Sequence, residues 1–410
     1  MLPHTKLGQQ RADGGLRRIF ADLHLHIGQT SAGEPVKISA SRRLTFREIA
    51  HEAAVRKGIS LLGVIDAHVP GVQHDIMNLL DAGEMAEAPG GGIRFGDTTI
   101  VLGSEIEVYD AGTGGPAHHL IFLPRLADMQ DFTSWLERHM RNVNLSSQRI
   151  YVSARELQAE VKGRGGLFIP AHIFTPHKSL LGSATERIAD VLEPSLIDAV
   201  ELGLSADSRM AGWIEALDYC PFLTNSDAHS LSRIGREYNA MLMAEPSFEE
   251  LCLVLQGSRG RRMLANYGLD PRLGKYHRTW CKACGQIADG KSAAHERCEK
   301  CGSPRLVRGV MDRIEQLAAI AGRTEAYLAP ERPPYLYQVP LEFMPGVGPV
   351  TLEKLLGRFG TEMDILHHAP LDELSAVAGA QAAALIAAAR AGELQVSSGG
   401  GGRYGKVDRS

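Results

Sequence analysis

The chain has 410 residues, 44% of them hydrophobic and 22% charged, and a formal net charge of −4. That length is too great for one small domain and suits two or three. No apolar run reaches the ~18–20 residues that span a bilayer, and the opening MLPHTKLGQQRADGG lacks the apolar segment of a secretion signal. A slightly negative total offers no global pull on nucleic acid, so such a partner would need local basic patches and backbone groups. A cytoplasmic globular protein with no membrane contact is expected.

From residue 17 to about 265, short apolar runs alternate with amphipathic helical patterns. In chain order the runs are RIFADLHLH, ISLLGVIDAH, TIVLGSEIEVY, HHLIFLP, GLFIPAHIF, DAVELGL and CPFLTNSDAH. Between most of them lie stretches such as LTFREIAHEAAVRKG and SARELQAEVKGRG. Continuously apolar strands separated by helices predict parallel strands covered on both sides, as in an α/β barrel or a doubly wound sheet. Most of the runs end in His, Asp or Glu. In an α/β barrel the C-terminal strand ends build the active site together, so these side chains are expected to meet.

The first run carries His24 and His26, which at i and i+2 of a strand share one face about 7 Å apart. The other strand-end candidates are Asp66 and His68, Glu105, His118 or His119, His172, and Asp227 with His229. Glu105 is preferred to Glu107 because it directly ends IVLGS, and His119 to His118 because it adjoins LIFLP. Each residue has an ordinary alternative: His172 as a core histidine, Asp227 as the cap of a following helix. Their joint placement at the strand ends is what points to metal. Imidazole with carboxylate suits Zn, Mn or Fe better than Ca or Mg alone. So many ligands exceed what one ion takes, and a cluster of two or three divalent ions (Zn, Mn, Mg or Fe) is expected. Bridged ions of this kind activate water near neutral pH and clamp the attacking and leaving oxygens of a phosphate ester. No Gly-x-Ser-x-Gly or P-loop pattern competes.

Residues 276–306 change in character to Cys, Lys, Gly and Arg. Cys281, Cys284, Cys298 and Cys301 fall as Cys-x2-Cys-x13-Cys-x2-Cys, with a Gly after each second Cys, whereas Cys220 and Cys252 stand alone in apolar surroundings. Four thiolates so spaced predict a closed, structural zinc site. The flank YHRTW interleaves aromatic and basic residues, so Trp280 either stacks on an unpaired base or packs the small ribbon core.

A helical stretch, VMDRIEQLAAIAG, and the Pro-rich connector LAPERPPYLYQVP follow, then an all-helical module and the Gly-rich SSGGGGRYGKVDRS. In LEFMPGVGPVTLEKLLGRFG, two short helices flank a Gly346-Val347-Gly348 hairpin, and LDELSAVAGAQAAALIAAAR reads as a second, degenerate copy. Glycines there let backbone N–H groups at the next helix start approach a phosphate, helped by the helix dipole. The boundaries read as 1–268 barrel, 269–310 ribbon, 311–340 helix and linker, 341–395 hairpin module and 396–410 tail.

His-Leu-His after a strand, Asp66 with His68, GSE, HHLIFLP, PAH and SDAHS together resemble the PHP (polymerase and histidinol phosphatase) superfamily. That resemblance implies a seven-stranded α/β barrel with a trinuclear metal site. It carries His24, His26, Glu105, His119, His172, Asp227 and His229 over as ligands, with Asp227 at the reaction centre. Two departures stand out. IDAH replaces an adjacent Thr-Asp-His, which leaves Asp66 or His68 as the ligand there, and the further ligand several residues after His-x-His has no match. PGVGPVTLEKLLGRFG resembles the helix-hairpin-helix family, which implies phosphate contacts from Gly346, Gly348, Thr351 and Lys354. Barrel, ribbon and paired hairpins in this order, with PAHIFTPHKSLLG and NSDAHSLSRIGRE, resemble the endonuclease Q family over nearly the whole chain. RIGRE implies that Arg233 and Arg236 lie beside the metals, on the scissile phosphate or in salt bridges. The resemblance implies a DNA-repair nuclease, acting on nucleoid DNA and cutting 5′ to hypoxanthine, uracil, xanthine or an abasic site. A small-molecule phosphoesterase of the histidinol-phosphatase kind and a non-catalytic DNA-binding protein are the rival expectations.

Overall fold

The structure is a computed structural model that describes residues 15–288, 296–394, 396–397 and 406–407; most of the tail expected at 396–410 lies outside them. The seven apolar runs form seven strands: β1 (Arg17–Leu25), β2 (Leu61–Val64), β3 (Thr98–Val108), β4 (Ala117–Leu123), β5 (Leu167–Pro170), β6 (Val200–Glu201) and β7 (Phe222–Leu223). β1 pairs parallel with β2, β2 with β3, and β6 with β7. β5 meets β6 through Asp198 N–H to Phe168 O and Ile173 N–H to Glu201 O, and a parallel bridge from Ala228 to Leu25 returns the end of β7 to β1. The ring is thereby closed.

One strand breaks the all-parallel expectation. β4 runs antiparallel to both β3 and β5. Only residues 109–116 join β3 to β4, and a parallel neighbour needs a crossover of a dozen or more residues. A hairpin is the only connection the chain allows there. It brings the start of β4, rather than its end, to the same rim as the ends of the other strands.

Outside the ring pack α1 (Phe46–His51), α2 (Pro70–Asp81), α3 (Leu126–Glu137) and α4 (Ala154–Gly163). Their buried faces meet Leu62, Val64, Ile100, Leu102, Ile121 and Phe168. A separate cluster fills the inside with Ile19, Ala21, Leu23, Leu61, Val101, Leu120, Phe122, Leu167, Ile169 and Leu223. α5 (Phe248–Leu255) adds Phe248, Leu251 and Val254 to this cluster and so closes the end of the barrel away from the rim. β8 (Tyr238–Met243) and β9 (Arg262–Gly268) extend the sheet antiparallel from β1.

The ribbon contributes the short pair β10 (Trp280–Cys281) and β11 (Leu306–Val307), and α6 (Val310–Ala321) follows. The segment expected to be a linker is built into the fold instead. Its β12 (Tyr335–Tyr337) adds to the sheet parallel to β9, and the Arg332 guanidinium donates to the carbonyls of Cys220, Leu217 and Asp218 while lying 3.8 Å over the Phe222 ring. Four helices complete the chain: α7 (Pro349–Phe359), α8 (Glu362–His367), α9 (Leu371–Ala378) and α10 (Ala380–Ala391). Among the described residues no helix is long and apolar enough to cross a membrane.

The helical module is clamped to the barrel by buried polar contacts. Lys57 Nζ lies 2.9 Å from Glu362 Oε1, with side chains only 4% and 8% exposed, and also donates to Ser232 O. His367 stacks on Phe20 at 4.5 Å, with its Nε2 2.7 Å from the Tyr238 hydroxyl. Removing one member of a buried pair leaves the other charge uncompensated. Glu362→Ala is therefore expected to destabilise the protein by about 3–5 kcal/mol, read as a lowered Tm. Glu353→Ala removes the exposed pair with Arg56 at 2.8 Å and should cost under about 1 kcal/mol.

Candidate metal centre and DNA interface

At β1 the register slips between Asp22 and Leu25. Before the slip Ile19, Ala21 and Leu23 face the barrel interior; after it His24 and His26 take that face. Such a bulge re-aims side chains at a strand end. On β3 the interior series Val101, Gly103 continues to Glu105, and on β4 Phe122 and Leu120 continue back to His118. His172 and Asp227 follow β5 and β7 in left-handed backbone conformations, with φ of 29° and 46°. Strain of this kind concentrates at functional sites.

Three sets of ligand atoms result, each within 4.8 Å: His24, His26 and Glu105; His26, Asp227 and His229; Glu105, His118 and His172. Their inner separations are uniform. His24 Nε2 is 3.6 Å from Glu105 Oε1 and 3.5 Å from Asp227 Oδ1, His26 Nε2 is 3.5 Å from Asp227 Oδ1, and His172 Nε2 is 3.5 Å from Glu105 Oε1. These distances are long for hydrogen bonds. Two ligand atoms each about 2.0–2.2 Å from one tetrahedral ion lie roughly this far apart. His24 Nε2 and His118 Nε2 are, moreover, buried with no hydrogen-bond partner, as nitrogens reserved for a metal would be. The donor set fits divalent ions of the zinc or manganese type.

The outer ring nitrogens make ordinary hydrogen bonds. His24 Nδ1–H donates to Glu201 at 2.9 Å, and Glu201 also accepts from the Asn225 amide and the His172 N–H. His26 Nδ1 lies 3.2 Å from Asp66 Oδ2, which accepts the Ile27 N–H as well. A carboxylate behind a ligating imidazole fixes its tautomer and orientation. The electrostatics are correspondingly strong. Burial favours a neutral His24 ring, but Glu201, Asp227 and Glu105 outweigh it and drive the pKa up to about 10. Burial would raise the Asp227 carboxyl, yet His24, His26 and His229 hold it well below its usual range. Glu105 is likewise pulled well down against burial, chiefly by His118. A divalent cation would meet this same concentration of negative charge.

The structure brings together His24, His26, Glu105, His172, Asp227 and His229, and it separates others. His118, rather than His119, points at Glu105, with Nδ1 2.8 Å from Oε1. His119 faces the outer layer, stacks on Phe168 at 4.8 Å, and burial pushes it down to about 3. Asp66 stands behind His26, and His68 is held at Nδ1 by the Ser104 hydroxyl and joins none of the three sets. Glu201 was missed, although DAVELGL carries the same apolar-then-acidic signal as the other runs. Glu107 pairs with Lys178 at 2.9 Å. Arg236 Nε donates to Ser226 O, and Arg233 lies 4.7 Å over the Phe343 ring and 3.5 Å from Glu342. Both arginines line a cavity of about 560 Å³ with His118, His172, Asp227, His229 and Tyr276.

In the ribbon the four sulfurs lie within 4.8 Å of one another, with Cys281–Cys301 at 3.7 Å and Cys284–Cys298 at 3.6 Å. A tetrahedral ion with bonds of about 2.3 Å spaces its sulfurs so. Gly285 and Gly302 turn at φ of 73° and 67°, which makes room for the knuckles. Trp280 is half-buried beside a second cavity that Arg297, Lys300 and Leu306 also line. In the helical module the first hairpin helix is only a turn, Leu341–Phe343, before α7. Gly348 caps α7 with no side-chain hydrogen bond, and a Cβ there would meet nothing within 4 Å, so the first-turn N–H groups face open space. Thr351 is half-buried and Lys354 exposed on the same helix. Gly346, at φ of 87°, lies with its Cβ position 4.0 Å from Ala382 on α10, where the two copies pack.

No family model matches the chain. It is 49% identical over 393 residues to the Bacillus subtilis (strain 168) protein YqxK, covering 96% of this chain and all of that one. The crystal structure of PfuEndoQ, a lesion-specific endonuclease of Pyrococcus furiosus, superposes with a TM-score of 0.82 at 31% identity over 95% of both chains. A structure of endonuclease Q with a 27-mer duplex, an abasic lesion at its active site, superposes with a TM-score of 0.81 at 30% identity, covering 96% of this chain and 97% of that one. With identity above 30% sustained across barrel, ribbon and hairpins alike, the chain belongs to the endonuclease Q family.

Proposed function

We propose that this protein is a DNA-repair endonuclease that hydrolyses the phosphodiester 5′ to a deaminated base (hypoxanthine, uracil or xanthine) or an abasic site, in the cytoplasm on nucleoid DNA. The observation that carries the reading is the buried ring of His24, His26, Glu105, His118, His172, Asp227 and His229 opening into a cavity that Arg233 and Arg236 line. These seven residues are the proposed ligands of the divalent ions, with Glu105 shared between sets. When bound, such ions supply Lewis acidity and an activated water for in-line attack on phosphorus.

The chain's own residues do the rest. Glu201 and Asp66 hold His24 and His26 with their inner nitrogens turned to the cluster. Arg233 and Arg236 bring positive charge to the scissile phosphate. The cavity, at about 560 Å³, lies in the size range of small-ligand sites and would take a nucleotide that has left the stack. Extrusion costs least for a mispaired or missing base, so lesion choice begins with the duplex itself. Gly346, Gly348 and the open first turn of α7, with Thr351 and Lys354, would hold the backbone without reading sequence, while Trp280 adds an aromatic face for an unpaired base. The four thiolates hold a structural zinc that shapes this second surface.

Asp227→Ala is expected to bind duplexes carrying deoxyinosine, deoxyuridine or an abasic site and to leave them uncut on a sequencing gel; wild-type cutting would remove Asp227 from the centre. Glu201→Gln should weaken barrel metal affinity about 10- to 100-fold, read as metal retained after dialysis against a chelator. Lys354→Ala should weaken lesion and undamaged duplex alike and reduce the salt slope by about 1, leaving the single-turnover rate at saturating protein unchanged.

A further inference from the structure

Lys37 has no metal-ligand chemistry, yet its ammonium sits among residues that do. Its N–H is bonded to Ile27 O at 2.9 Å, which ties this loop to the end of β1. The side chain is only 17% exposed, and Nζ lies 2.6 Å from Ser147 Oγ and 3.5 Å from Glu105 Oε2. Ser147 also donates to that Glu105 oxygen and is held in a left-handed conformation at φ of 53°. That conformation is costly for a serine, and here it fixes the hydroxyl between ammonium and carboxylate.

Glu105 is thereby divided. Its Oε1 is faced by His24, His118 and His172, and its Oε2 by His26, Ser147 and Lys37. The three ligand sets overlap in the same way, because His26 and Glu105 each belong to two of them. Seven residues so shared can close two ions while leaving positions open for water and phosphate. A third ion would have to settle close to a fixed positive charge in a partly dry site, where like charges repel strongly. We infer that Lys37 is the third positive charge of the centre: it limits the barrel to two divalent ions and leaves a donor for an oxygen of the scissile phosphate. An ammonium carries three donors, and two are accounted for by Ser147 and Glu105.

This inference rests on the metal-centre reading of the proposed function, and one measurement separates the two. Full-length protein reconstituted with zinc, freed of excess by gel filtration, is expected to carry three ions per chain by elemental analysis and native mass spectrometry, one on the thiolates and two in the barrel. Four ions would overturn the role of Lys37 while sparing the metal centre. A single ion would remove the centre and the inference with it. Lys37→Met is expected to keep the two barrel ions and to slow single-turnover cutting of an abasic duplex about a hundredfold, the loss typical of one transition-state donor. Wild-type cutting by that variant with two barrel ions would overturn the inference.

Discussion

The structure turns on one carboxylate that water cannot reach. Glu105 is buried inside the barrel, and an isolated ionised group there would be prohibitively costly. It is tolerated because His24, His26, His118, His172 and Lys37 surround it. Each of these comes from a different strand end or loop, so the balance exists only when the barrel has closed. The charge that endangers the fold is also the charge that suits the centre to divalent cations.

Holding such a ring open requires a second layer that does not move. The loop after β7 is pinned from beneath by Asp22, which accepts the N–H groups of Ser226 and Gly235. Asn225 accepts the Leu23 N–H and donates to Glu201, while Asn239 and Asn266 continue the chain of amides across β8 and β9. A buried polar network is stabilising only when nearly every member is satisfied, and it then specifies one arrangement. This one runs from the extended sheet to the histidines of the rim. It gives the strands outside the barrel a part in placing the site.

The modules beyond the barrel are joined to it in the same manner. Arg233 lines the cavity yet stacks on Phe343, at the turn that leads into the hairpin, so the cavity and the hairpin share a contact. The Lys57–Glu362 pair and the stacked His367 seat the helices on the opposite side of that junction. With β12 locked into the main sheet, the hairpins keep a set distance from the metal ligands. An enzyme that must place one phosphate over fixed ions gains from such rigidity.

By itself the sequence determined what local chemistry can determine: seven apolar runs that become seven strands, four thiolates at ribbon spacing, a glycine hairpin, and the kinds of ligand at each strand end. Each depends on residues close together in the chain. The tertiary structure alone decided which neighbouring side chain faces inward. Barrel strands are apolar on both faces, so nothing in HHLIFLP distinguishes His118 from His119, and the slip in β1 reverses the alternation just before His24. It also decided the direction of β4, the retreat of Asp66 behind His26, and the service of Glu201 and Lys37 to ligands far off in sequence. Those are contacts between distant segments, created by closure of the ring, and no local pattern encodes them.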